Sequence, residues 1–130
     1  MPMHRTTLIS LVMAGLVVAP IALSQKTSQA ELRFEEAHRK ETIDGDLKSA
    51  IDLYRRAIDE AGSNRAIAAQ ALVRMGECYE NLGDTEARKA YERVVREFGD
   101  QKASAEMARA RLAILGGAGK EPRARRILAD

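Results

Sequence analysis

The sequence predicts an all-α protein, a short right-handed solenoid of helical hairpins with about two repeats and a capping helix. Two stretches carry one turn-and-helix pattern, the first beginning at Gly45 and the second at Gly83. These glycines lie 83 − 45 = 38 residues apart, and Tyr54 and Tyr91 lie 91 − 54 = 37 apart. Self-similarity at such a period is typical of stacked helical hairpins. A chain with 4% aromatic residues and no tryptophan also favours helices packed through small side chains over a sheet.

Composition narrows the class of function further. The 130 residues allow one domain. A net charge of +2 gives no general case for nucleic acid or an acidic surface as partner. The single cysteine, Cys78, excludes an intramolecular disulfide and a cysteine-based metal cluster.

The first 24 residues have the pattern of a secretory signal peptide. Arg5 supplies positive charge, residues 8–23 are nearly all apolar, and Ala22 and Ser24 are the small residues before a cut at Gln25. A retained membrane anchor is the alternative, because roughly 16 apolar residues approach the ~20 that span a bilayer. No cysteine stands near the junction, which disfavours a lipoprotein. Residues 25–29 are expected to be a flexible lead-in.

The first predicted helix runs from about residue 30 to 42. Ser28 or Thr27 can cap it. Ion pairs are expected at i,i+4 spacing, Glu35 with Arg39 and Glu36 with Lys40. Its expected apolar face is Ala30, Leu32, Phe34 and Ala37.

Four more helices are predicted at about residues 47–61, 65–81, 85–98 and 102–115, which gives a domain over 30–115. Asp46 is the expected N-cap of the second helix, and Gly62 takes the left-handed position that ends it. Ser63 or Asn64 caps the third. The fifth presents Ala105, Ala108, Leu112 and Leu115. Regular structure is expected to end at Gly116, so residues 116–130 are predicted to be a basic flexible tail.

Residues 69–98 resemble the tetratricopeptide repeat. Leu72-x-x-Met75-Gly76-x-x-Tyr79 is similar to the pattern of the family's first helix, and Gly83 to its turn. Ala87, Tyr91 and Val94 are similar to the small and aromatic residues that recur in its second helix. The step from Asp84 to Ala87 is one residue shorter than usual. The first unit agrees at Gly45, Ala50, Tyr54 and Ala57, but His38 stands where the family prefers glycine or alanine.

Two packing expectations accompany the repeats. Gly76 and Ala50 are small enough for two helix backbones to approach closely, with Tyr54 and Tyr91 filling the larger gap opposite. Four residues beyond the family's 34-residue period, 65–68, add about one helical turn and predict a long third helix.

No residue pattern indicates catalysis, a metal or a cofactor. Cys78 is expected to pack as a small buried hydrophobe, with pairing between chains as the alternative. His38 has no second histidine or carboxylate at a ligand spacing, and it is expected to be a partly buried residue near a turn.

The resemblance implies a partner-binding groove lined by the first helix of each unit. It nominates Glu35, Arg39, Gln70, Val73, Glu77 and Glu80. Two repeats give room for a short peptide or one helix, so we expect modest affinity.

These observations together predict an exported, non-enzymatic scaffold for protein–protein contact in the periplasm or cell envelope, similar to exported bacterial tetratricopeptide proteins. The expected partner is another protein or peptide, with no nucleic acid, and with membrane contact only if the leader is retained. The alternatives are a homo-oligomerisation module and an N-terminal accessory domain of a larger exported protein, for example one that contains a propeller.

Overall fold

A computed structural model describes residues 28–118 and contains five α-helices there. They are α1 (Gln29–Arg39), α2 (Leu47–Glu60), α3 (Arg65–Asn81), α4 (Glu86–Glu97) and α5 (Lys102–Ala118), with a π-helical turn over Lys40–Asp44. Each helix packs against the next, and α3 also contacts α1 and α5. The described part contains no strand. The prediction of an all-α helical-hairpin solenoid is confirmed.

The predicted signal peptide, most of the predicted lead-in and residues 119–130 of the predicted tail lie outside the described residues. Of the helices that the structure does describe, none combines the length and the apolar character needed to cross a membrane.

Local sequence signals fix the helix starts. The Ser28 hydroxyl accepts a hydrogen bond from the Glu31 backbone N–H at 3.2 Å, and the Glu31 carboxylate accepts one from the Ser28 N–H at 3.1 Å, a complete capping box. The side chains of Asp46 and Asn64 cap α2 and α3, as expected. These three caps satisfy backbone donors that the first turn of a helix leaves without partners.

The end of the first helix differs from the prediction. The α-helix stops at Arg39, and the chain continues through the π turn until Gly45, whose φ of +66° ends it. Neither predicted i,i+4 pair forms in α1: Glu36 pairs instead with Arg33 at 3.4 Å, and Lys40 pairs with Asp44 at 3.0 Å inside the π turn. Glu36 and Lys40 remain one α-helical turn apart, but each is engaged by another residue of opposite charge, so the expected pair does not form.

The prediction that Leu32 belongs to the apolar face of α1 is wrong, because this residue is 49% exposed. Ala30 and Ala37 are buried and Phe34 is partly buried. Two residues along a helix turn the side chain through about 200°, so Leu32 points away from the stripe that these three residues form.

Small residues and two tyrosines make the core. Ala50, Ala57, Tyr54 and Tyr91 have no exposed surface. A Cβ atom on Gly76 would lie 2.7 Å from Cε1 and 2.9 Å from Cζ of Tyr91. Gly76 therefore accommodates the ring of Tyr91, which corrects the expectation that this tyrosine fills a gap opposite the glycine.

The third helix is long, as predicted, with 17 residues. Arg65 in its added first turn donates hydrogen bonds to the Asp100 carboxylate and, at 2.6 Å, to the carbonyl of Glu97. Its guanidinium also lies 5.0 Å from the centre of the Phe98 ring. The extra turn thus attaches the start of α3 to the end of α4.

The fifth helix continues through Gly116 and Gly117 to Ala118, so the prediction that regular structure ends at Gly116 is wrong. A glycine in a helix costs only about 1 kcal/mol relative to alanine. The preceding turn, Leu112-Ala113-Ile114-Leu115, consists of good helix formers, and no proline interrupts it.

Candidate functional site

Alternate helices of the stack line one groove. Its volume is about 350 Å³, and it is lined by Phe34 of α1, by Gln70, Val73, Arg74 and Glu77 of α3, and by Ala103, Ser104 and Met107 of α5. The predicted residues Gln70, Val73 and Glu77 therefore lie together. They do so because spacings of three and four put them on one side of α3.

The groove combines apolar surface with polar groups. Val73 is buried at the floor of the groove, Phe34 is partly buried, and Met107 is 48% exposed. Gln70 is exposed beside them, whereas the charges of Arg74 and Glu77 are paired with each other at 3.0 Å. Such a surface fits an apolar side chain of a partner and offers an amide for hydrogen bonding.

The other nominated residues lie elsewhere. Glu35 and Arg39 line a shallow depression on α1 with His38, Thr42 and Ile43. Glu80 lies near the end of α3, where it pairs with Arg111 of α5. The structure thus brings together three of the six nominated residues.

Sequence reasoning missed Phe34, Arg74 and Met107 as groove residues. Met107 could have been found from the repeat itself, because it stands 107 − 70 = 37 residues after Gln70, the spacing of the two tyrosines. Arg74 could have been found from spacing as well, because it lies four residues after Gln70 and three before Glu77, with which it pairs.

A polar network lies next to the groove and joins the first two units. The Tyr54 hydroxyl donates a hydrogen bond of 2.5 Å to Glu41 in the π turn. Arg74 of α3 approaches the same carboxylate at 3.6 Å and lies 2.8 Å from Nδ1 of His38. The same His38 nitrogen also lies 3.8 Å from the Glu41 carboxylate, so all four side chains meet at one point.

Burial and nearby charges shift the pKa values of Tyr54 and Arg74 in this network. Burial raises the pKa of Tyr54 well above its usual value, and the hydrogen bond to Glu41 raises it further. Burial by itself lowers the pKa of Arg74, but Glu77 and Glu41 raise it overall. Tyr54 therefore stays protonated and donates to Glu41 at neutral pH.

Three of these residue types, tyrosine, glutamate and arginine, also meet where the second unit contacts α5. We call each such contact between successive units a joint. Arg111 of α5 makes a two-pronged contact with Glu80, and the buried Tyr91 hydroxyl lies beside this pair. Burial raises the pKa of Tyr91; Arg111 lowers it and Glu80 raises it. The Tyr91 hydroxyl lies close enough to Arg111 and Glu80 to interact with them, but it makes no hydrogen bond of normal geometry within the described residues, unlike Tyr54. Each joint therefore combines a tyrosine from a second helix, a glutamate at or just after the end of a first helix, and an arginine from the following unit.

The described residues include one thiol, that of Cys78, and it is buried. Burial raises the pKa of the Cys78 thiol to about 12, so the thiolate is scarce at neutral pH. Within residues 28–118, no three His, Cys, Asp or Glu side chains are grouped to hold a metal ion.

Stacked antiparallel hairpins with a groove on their first helices define a helical-repeat protein of the kind that binds other proteins. Residues 70–100 match the family model of the Tetratricopeptide repeat. This stretch of the chain is therefore similar to a tetratricopeptide repeat, as the sequence predicts. That family is typically a non-catalytic interaction module that binds proteins or peptides. No curated protein and no solved structure matches the chain.

Proposed function

We propose that this chain is an exported, non-enzymatic scaffold whose groove binds a short peptide or a single helix of another protein. The groove between α1, α3 and α5 carries the proposal. It exposes Met107 and Gln70 beside charges that are already paired, so an apolar partner segment meets little unpaired charge there. The tetratricopeptide match over residues 70–100 supports a protein partner.

The size of the groove limits the strength of binding. A standard protein–protein interface buries about 1,600 Å² in total. A groove of about 350 Å³ holds only a few side chains, so we expect weak, reversible binding.

A random peptide library displayed on phage tests the groove. Peptides selected by the protein should lose binding to Met107→Asp and Gln70→Lys, which place charge in the groove without disturbing a buried residue. Glu92→Lys, an exposed change on α4, is the matched control and should leave binding intact. Equal loss in all three variants, or no loss in any, would show that peptides do not use this groove.

Glu77→Lys is a poorer probe of the groove than its position suggests. It removes the pair with Arg74 and places two positive charges side by side, so the local structure would change along with the binding surface.

The signal-peptide pattern supports location in the periplasm or cell envelope. Mass spectrometry of the protein from envelope and cytoplasmic fractions tests this part separately. The proposal expects an N-terminus at Gln25 in the exported fraction. A full-length chain confined to the cytoplasm would contradict export but would leave the groove proposal standing.

A further inference from the structure

The fifth helix carries apolar residues on two opposite sides. The side that faces the stack consists of four buried or partly buried residues, Ala105, Ala108, Leu112 and Leu115. The other side consists of four exposed residues, which we call the exposed stripe: Ala103, Met107, Ala110 and Ile114. Spacings of four, three and four residues keep this stripe on one side of the helix. A helix that only closed the stack would present polar residues there, so the exposed stripe indicates a further contact surface.

The exposed stripe starts in the groove and continues past it. Ala103 and Met107 line the groove. Ala110 and Ile114 follow one and two helical turns after Met107, outside the groove, and Ile114 is 62% exposed. At a rise of 1.5 Å per residue the stripe is about 16 Å long, which suits a helix that lies along α5.

Small and large side chains alternate along the exposed stripe. Two copies of α5 can pack antiparallel about a twofold axis that passes level with the midpoint of residues 108 and 109. Ala103 then faces Ile114 of the second copy, and Met107 faces Ala110 of the second copy. Both contacts recur by symmetry. A large side chain meets a small one at every level, as close packing requires.

A parallel pair of α5 helices does not use the stripe in this way. Each residue would face its own counterpart, so Met107 would meet Met107 and Ala110 would meet Ala110. The first contact would be crowded and the second would leave a gap, and both defects destabilise a packed surface. The order of the residue sizes therefore selects the antiparallel arrangement.

Charges beside the stripe are complementary in the same arrangement. Glu106 and Arg109 are exposed on one flank of the stripe. Within residues 28–118, the ion pair of α5 is the one between Arg111 and Glu80, so Glu106 and Arg109 have no ionic partner there. An antiparallel pair brings equal flanks together. Glu106 of each copy then lies near Arg109 of the other, which gives two equivalent ion pairs.

We propose that the partner of the exposed stripe is a second copy of this chain, and that the two α5 helices pack antiparallel across a twofold axis. One helix from each copy gives an interface smaller than the roughly 1,600 Å² of a standard complex, so the dimer forms reversibly. The dimer covers Met107, which also lines the groove. A bound peptide and a second copy therefore compete for α5.

Sedimentation equilibrium of the full chain over a wide range of concentration tests the dimer. Ile114→Asp should raise the dissociation constant at least about tenfold, because it places a charge inside the interface. Leu32→Asp is the matched control: it makes the same kind of change at an exposed apolar residue of α1, and it should leave the dimer intact. Ile114 does not line the groove, so this experiment is independent of peptide binding.

Charge exchange tests the antiparallel arrangement. Glu106→Arg alone and Arg109→Glu alone should each weaken the dimer, because each places like charges together across the axis. A mixture of these two variants should associate, because every Arg then meets a Glu of the other chain. In a parallel pair the two positions lie on different sides of the interface, so mixing would restore nothing.

Four results decide the matter. A parent dimer that Ile114→Asp weakens and Leu32→Asp does not, together with association in the mixture, supports the proposal. A parent chain that stays monomeric overturns it, because the stripe then has another cover. Equal association of the parent and Ile114→Asp also overturns it, as does a mixture that associates no better than either single variant. Both charge variants change exposed residues, so they remain informative if Ile114→Asp fails to fold.

Discussion

At the scale of single residues, position 76 shows how a missing side chain can organise a core. Tyr91 has no exposed surface, so its ring cannot swing away from a new neighbour at Gly76. The glycine costs helix propensity, but it admits a large aromatic group at the centre of the second unit.

Gly76→Ala should therefore destabilise the protein, although alanine favours helices. Overpacking costs about 1–3 kcal/mol, while the gain in propensity is at most about 1 kcal/mol. A net loss of about 1 kcal/mol would lower the melting temperature by roughly 4–8 °C. Gly117→Ala is the control: nothing lies within 4 Å of its new Cβ, so this variant should be as stable as the parent or more so. An unchanged melting temperature for Gly76→Ala would contradict the packing described above.

The two joint tyrosines should respond differently to loss of the hydroxyl. Tyr54→Phe removes a hydrogen bond to a carboxylate and should cost about 1.5–3 kcal/mol. Tyr91→Phe removes a buried hydroxyl that has no hydrogen bond among residues 28–118, so its free energy of unfolding should change little or rise. Urea unfolding of both variants measures the difference. Equal losses would show that the two joints are electrostatically alike.

At the scale of elements, the extra turn of α3 acts as a clamp on α4. Arg65 satisfies a carbonyl at the end of α4, pairs with Asp100 in the following loop and covers Phe98. Arg65 holds the pKa of the Asp100 carboxyl well below its usual range. Both side chains are about half exposed, so salt screens their interaction.

This clamp predicts a specific acid sensitivity. Because the folded-state pKa of Asp100 is lowered, its contribution is present above the unfolded pKa of about 3.9 and is lost as pH falls below that value. The melting temperature of Asp100→Asn should fall less between pH 7 and pH 3 than that of the parent chain. Asp59→Asn, at an exposed position of α2, should behave like the parent. Identical pH dependence in Asp100→Asn and the parent would contradict the clamp.

The positions of the helices could be predicted better than the groove, because the signals that start and end a helix are local in the sequence. Ser28, Asp46 and Asn64 marked helix starts, and Gly45 and Gly83 marked the turns that both units share. The π turn and the continuation of α5 were not predictable in this way, because each depends on small energy differences within a helix. The surroundings of the groove could not be predicted in full, because they depend on contacts between residues far apart in the sequence. Arg74 contacts His38, 36 positions away, and no periodicity indicates such a partner.

At the scale of the whole molecule, each helix is held mainly by its neighbours in the chain. The end of such a stack must be closed, because an internal helix face is apolar. The α5 helix closes the second unit by covering α4 and by pairing Arg111 with Glu80, whose side chain is only 15% exposed.

Deletion of residues 102–130 should therefore destabilise the entire stack, because it uncovers α4 and leaves Glu80 without its arginine. Deletion of residues 119–130 alone should have a smaller effect. Circular dichroism on heating measures both, and the larger deletion should give a broad transition at lower temperature. A sharp transition at the parent's temperature would show that α1–α4 form a complete domain.

The arrangement of the joints has a consequence for how such a chain can lengthen. Residues 65–101 contain the arginine that completes the joint before them, Arg74, and the tyrosine and glutamate of the joint after them, Tyr91 and Glu80. Suppose that a second copy of this segment were inserted after residue 101. The Arg74 of the inserted copy would pair with the Glu80 of the original segment, and the Glu80 of the inserted copy would pair with Arg111. The protein could thus gain length, and extend its groove, by duplication alone, with every new boundary reusing a contact that already exists.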